Sequence, residues 1–129
     1  MDQLQPGQML GPYRIINQVG QGGMATVYKA YQPSMDRNVA VKVLPGQLAQ
    51  SPEFTQRFQQ EARIIARLEH AHILPVFDYG EADGYPYIVM PFVNSGTLAE
   101  FLQKQPPTLS EVRRIMIQLC DALGYAHMR

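Results

Sequence analysis

The sequence predicts an α+β fold: a five-stranded antiparallel sheet with one inserted helix, followed by two further helices. Three observations predict it. Short β-branched or aromatic runs separated by glycine- and proline-rich turns extend from Tyr13 to Val93, one amphipathic segment interrupts them after Ser51, and beyond Asn94-Ser95-Gly96 only helical periodicity remains. With 129 residues, 46% hydrophobic and 17% charged, the chain has the composition of a single globular unit and can bury roughly two thirds of its unfolded surface.

The elements follow in order. The polar, turn-prone start, residues 1–12, is expected to be a flexible arm. Tyr13 to Val19 and Ala25 to Tyr31 read as two strands joined by the cluster Gly20, Gly22 and Gly23. A turn over Pro33 to Asn38 leads to the run Val39-Ala40-Val41-Lys42-Val43-Leu44, stopped by Pro45-Gly46. Ser51 as N-cap, Pro52 at the first helical position and Glu53 start a helix of about four turns carrying Phe54, Phe58, Glu61, Ile65 and Leu68 on one stripe. Ile73 to Tyr79 and Tyr85 to Met90 read as strands around the loop Gly80 to Gly84. Thr97 to Lys104 is a short helix, and Ser110 is expected to cap a longer one running to His127 with Val112, Ile115, Met116, Leu119, Ala122, Leu123 and Ala126.

Composition narrows the function classes. Eleven basic residues balance eleven acidic ones, leaving no basic field to gather nucleic acid or anionic lipid. The longest apolar stretch, Tyr87 to Val93, contains Pro91 and falls far short of the ~20 residues that span a bilayer. The single Cys120 allows neither an internal disulfide nor a multi-cysteine zinc site and suits a reducing, cytoplasmic setting, which leaves room for a membrane anchor downstream in a longer protein.

Two charges stand out because they sit in apolar patterns. Lys42 shares a strand face with Ala40, whereas Val39, Val41 and Val43 share the other. Glu61 interrupts the helix stripe, where an unpaired carboxylate is costly to bury. A Lys42–Glu61 pair bridging sheet and helix satisfies both, whether its role is structural or chemical. The cluster Gly20-Gln21-Gly22-Gly23-Met24-Ala25 resembles G-x-G-x-x-G, with backbone N–H groups free to approach phosphate oxygens. It leads into a strand rather than a helix, which disfavours a Rossmann dinucleotide site, and no Lys-Ser or Lys-Thr follows to make a Walker loop. His70 and His72 lack further ligands to complete a metal set and read as turn or packing residues.

Glycine turn between strands, Val27, Val39-Ala40-Val41-Lys42 and a helix with Glu61 together resemble the N-terminal lobe of a protein kinase. Leu68-Glu69-His70-Ala71-His72-Ile73 is similar to that family's L-x-H-P-x-I, Tyr87-Ile88-Val89-Met90 leads into a hinge-like Pro91-Phe92-Val93, and Cys120 to His127 is similar to the helix before the catalytic loop. The likeness is to bacterial, eukaryotic-like serine/threonine kinases. It implies a kinase N-lobe with hinge over 13–93 and the start of a C-lobe over 94–129.

The resemblance also implies roles. Val19, Gly20, Gln21, Gly22, Gly23, Met24 and Ala25 belong to the segment covering the ATP phosphates; Val27 and Ala40 roof the adenine; Lys42 holds the α- and β-phosphates and pairs with Glu61. Met90 takes the gatekeeper position, the Pro91 carbonyl accepts from the adenine amino group, and the N–H and carbonyl of Val93 complete the hinge. Pro91, Ala25 and Ala71 depart from the usual acid, glycine and proline. The chain ends at Arg129 before any H-R-D or D-F-G, so it is expected to lack the magnesium ligands, to bind ATP weakly by itself and to transfer no phosphoryl group alone. In a longer enzyme the partners are ATP, magnesium and a protein substrate. The alternative is a non-catalytic, pseudokinase-like module binding nucleotide or protein. The apolar helix from Ser110 to His127 is expected to remain exposed and to favour self-association.

Overall fold

The computed structural model describes residues 3–23 and 25–129, which divide into two compact units. The first comprises the chain to Arg67 together with Pro75–Phe92, and the second comprises Leu68–Leu74 with Val93–Arg129.

The first unit is one antiparallel sheet. Its strands are β1 (Met9–Leu10), β2 (Tyr13–Gly22), β3 (Ala25–Gln32), β4 (Arg37–Val43), β5 (Asp78–Ala82) and β6 (Tyr85–Pro91), in the order β1-β2-β3-β4-β6-β5. There are thus six strands rather than the expected five. The extra one comes from the segment read as an arm, and its cause is burial: Leu10 is fully enclosed and Leu4 nearly so, in a core with Tyr13, Ile15, Tyr28, Val39, Val41 and Val89. Backbone bonds reinforce it, with the Gly7 N–H donating to the Ile15 carbonyl (2.7 Å) and the Ile15 N–H to that of Gln8 (2.9 Å). The Leu4 N–H donates to the Tyr28 hydroxyl at 3.0 Å.

The same core holds two tyrosines whose hydroxyls ionise late. Tyr13 donates to Asp78 Oδ2 at 2.8 Å, linking β2 to β5, and packs edge-on against Tyr87 with ring centroids 5.8 Å apart. Burial first, then the bond to Asp78, pushes the Tyr13 hydroxyl well above the ordinary tyrosine range; burial, then the Asp78 charge, raises Tyr87 as well.

On the opposite face lies α2 (Pro52–Ala66), preceded by a one-turn helix α1 (Gly46–Ala49) where a plain stop was expected. Phe58 and Ala62 are the buried residues of α2 and pack with Ala25, Leu44 and Ile88. The start at Pro52 holds, but the Ser51 side chain makes no cap; instead the Thr55 hydroxyl donates back to the Ala49 carbonyl at 3.1 Å. Helix α2 ends before Leu68.

β5 begins at Asp78, later than the expected Ile73. Pro75 has no N–H to offer a ladder, and ahead of the strand only the Phe77 N–H reaches across, to the Val89 carbonyl at 2.7 Å. The strand then continues through Gly80 and Ala82, so the β5–β6 turn is only Asp83-Gly84, with φ of +53° and +82°. This is the left-handed pair that a two-residue type I′ hairpin requires.

In the second unit, α3 (Leu98–Lys104) starts from Thr97, whose hydroxyl accepts from the Glu100 N–H at 3.1 Å. α4 (Leu109–His127) is capped by Thr108 rather than Ser110: the Thr108 hydroxyl accepts from the Glu111 N–H (3.1 Å) while Glu111 Oε1 accepts from the Thr108 N–H (2.9 Å). These bonds to the carboxylate hold Glu111 below the usual range. Leu68–Leu74 meets the C-terminal end of α4, where the Tyr125 hydroxyl accepts from the Glu69 N–H at 2.9 Å and the His70 ring lies 5.2 Å from that of Tyr125. His70 Nδ1 accepts from the His72 N–H at 3.0 Å, a turn role for both histidines. Among the described residues no helix is long and apolar enough to cross a membrane.

Candidate nucleotide face

Strand register brings five of the sequence-predicted residues, Gly20, Val27, Ala40, Lys42 and Met90, to one face of the sheet. Residues directly opposite on neighbouring strands share a face. Gly20 stands opposite Val27, Val27 opposite Lys42, and Lys42 opposite Ile88; one step along, Lys29 stands opposite Ala40 and Ala40 opposite Met90. Ala25, Ile88 and Met90 also pack in the α2 core, so this is the face that α2 covers in part. Ala40 is buried, while Val27, Lys42, Met90 and Pro91 are half-buried. Val39, Val41 and Val43 occupy the other core, as alternation requires.

The glycine turn closes β2 onto β3. Bulges between Ile15 and Asn17 and between Gln18 and Gly20 shift the register, and Val19, unpaired in the second bulge, is exposed. Gly22 pairs with Ala25. Gly23 has a φ of +56°, left-handed backbone that favours glycine, and Met24 lies outside the described residues. A Cβ added at Gly22 or Gly23 would meet nothing within 4 Å, so no side chain covers the tip of the glycine turn. An uncovered glycine turn at the end of the strand pair, on the sheet that also carries the half-buried Lys42, leaves room for a polyphosphate chain.

Glu61 departs from expectation. It is exposed, at the flank of the Phe58/Ala62 stripe rather than within it. Sequence reading counted the carboxylate and passed over Ala62, whose small side chain lets α2 approach the sheet. Val93 is exposed and belongs to the second unit. A hollow lined by Gln56, Gln60, Arg63, Ile64 and Arg67 lies on α2 and shares no residue with the predicted site. One residue on the face was missed: Lys29 has the same strand parity as Val27, a signal present in the sequence. Among the described residues, no group of three or more His, Cys, Asp or Glu could hold a metal ion.

Comparison with known proteins concerns the family. The family model described as protein kinase domain matches residues 13–129. The chain is 41% identical over 123 residues to the serine/threonine-protein kinase PknE of Mycobacterium bovis, covering 94% of this chain and 22% of that protein. It is 40% identical over 118 residues to PrkC of Bacillus subtilis, covering 91% and 18%. The chain thus spans about a fifth of the length of these curated relatives. Among solved structures, the PknI kinase domain of M. tuberculosis superposes with a TM-score of 0.82 at 34% identity, covering 98% of this chain and 52% of that one. Rad53 1-466 in complex with AMP-PNP gives 0.75 at 28% identity, covering 91% and 30%.

Proposed function

Because this chain belongs to the protein kinase domain family, we propose that it forms the ATP-binding part of a serine/threonine protein kinase, which transfers the γ-phosphoryl group of ATP to a protein hydroxyl. The observation that carries the reading is the cross-strand row Gly20, Val27, Lys42 and Ile88, flanked by Ala40 and Met90. On this reading the bare backbone of the glycine turn covers the phosphates, the Lys42 ammonium neutralises the α- and β-phosphates, and Val27 and Ala40 sandwich the adenine from above. The Pro91 carbonyl accepts from the adenine amino group. Pro91 lacks an N–H, and only its carbonyl is needed.

Glu61 is proposed to pair with Lys42 when α2 turns its exposed flank inward, which makes α2 the movable part of the site. Magnesium, which the family implies, would need carboxylates other than those of the described residues, among which no group of three or more His, Cys, Asp or Glu could hold a metal ion. The same reading implies a protein substrate and a cytoplasmic working site, the latter suited to the free, exposed Cys120 thiol. Helix α4 leaves Val112, Met116, Leu119 and Leu123 exposed and buries Ala122 alone, a face proposed to associate with a second copy. Sedimentation at rising concentration should show dimers that Leu119→Glu abolishes, and a monomer throughout would dismiss that face.

The decisive experiment for the nucleotide reading is titration of the chain with ATP, followed by the backbone amide shifts of Gly20, Gly22 and Gly23. Weak saturable binding that Lys42→Ala abolishes, with the fold intact by circular dichroism, supports it. Absence of any shift at millimolar ATP refutes it.

A further inference from the structure

Two lysines occupy the nucleotide face, and only Lys42 has a role so far. Lys29 stands opposite Ala40, which stands opposite Met90. Its ammonium lies over the ring of Phe92, 4.9 Å from the centroid, and both side chains are half-buried. That distance is within the ~6 Å over which a ring quadrupole attracts a cation.

The position of Phe92 gives the contact its meaning. The β4–β6 ladder ends at Pro91, which pairs with Val39, and Phe92 is the last residue of the first unit. Pro91 has no N–H, so its carbonyl is its one main-chain polar group. That carbonyl and the Phe92 N–H lie in a single planar peptide unit, so holding Phe92 in place restricts rotation of the plane and fixes where the carbonyl points.

Resting on the nucleotide reading above, we infer that Lys29 is a positioning residue: its contact with the Phe92 ring orients the Pro91 carbonyl toward the adenine amino group and thereby sets affinity for the base. Lys29 acts through Phe92 and does not touch the phosphates. The contact therefore distinguishes ligands that carry adenine from those that do not.

The test titrates the full 129-residue chain with ATP and, separately, with inorganic tripolyphosphate, again by amide shifts at the glycine turn. Lys29→Met keeps the stem and removes the charge; Phe92→Leu removes the ring. Each should raise the ATP dissociation constant about two- to fivefold, the range of a partly exposed cation–π contact. The double variant should be no weaker than either single one, because the two residues form one contact. Lys29→Arg should retain wild-type affinity, since a guanidinium also sits on a ring face, and tripolyphosphate binding should be the same in all variants. A circular dichroism melt confirms that each variant is folded.

Equal weakening of ATP and tripolyphosphate by Lys29→Met would show a simple charge effect and overturn the inference. So would additive losses in the double variant, or unchanged ATP affinity in both single ones. If the wild-type chain binds neither ligand, the nucleotide reading fails first and the inference with it.

Discussion

Truncation of Phe58 to alanine tests how the helix bearing Glu61 is held. Phe58 is 4% exposed and is one of only two buried residues of α2, the other being Ala62. Removing a buried phenylalanine costs about 3–5 kcal/mol, the sum of lost transfer energy and the cavity left behind. The structure favours the lower end. A helix of 15 residues is marginal by itself, so α2 can leave the sheet locally, and the global loss cannot exceed what its docking contributes. We expect a loss of about 3 kcal/mol in urea denaturation, on the scale of that burial term. Native-state hydrogen exchange should show amides of Pro52–Ala66 losing protection while those of β3, β4 and β6 keep theirs. Phe58→Leu, which refills most of the volume, should recover more than half of the loss. A loss below about 1 kcal/mol, or α2 amides still as protected as the central strands, would refute docking through this side chain.

Other expectations concern ionisation and capping. Because Tyr13 and Tyr87 have raised folded-state values, their contribution to stability is complete below pH 10 and is lost as pH rises beyond it. Absorbance at alkaline pH should show a late-ionising class that includes Tyr13 and Tyr87, and Tyr13→Phe should reduce that class by one. Thr108→Ala should cost about 1 kcal/mol of stability by removing the α4 cap. Glu111 is held low, so its share of the cap is present above pH 4.5 and lost as pH falls through its lowered folded value; the wild-type advantage over Thr108→Ala, followed by thermal melts, should shrink in acid.

The features legible in the sequence were those that a strand or helix imposes on its own residues. Alternation put Lys42 and Ala40 on the face opposite Val39, Val41 and Val43, because side-chain direction in a strand is a local property. Pro52 marked the start of α2 for the same kind of reason. The Thr108–Glu111 capping box is equally local and lies two residues before Ser110. Tertiary structure decided the rest. A two-residue strand has no periodicity to read, so β1 exists only because Leu10 fills a space enclosed by strands far along the chain. Ile73 to Val76 has strand-like composition but lies outside the ladder, which Pro75 cannot join as a donor. Whether Glu61 or Ala62 faces the sheet is a rotation of α2 about its axis. Close packing of Phe58 and Ala62 against Ala25, Leu44 and Ile88 sets that rotation. Lys29 meets Phe92 because β4 lies between β3 and β6; strand order, set by where the whole sheet buries its apolar faces, is a property no local window contains.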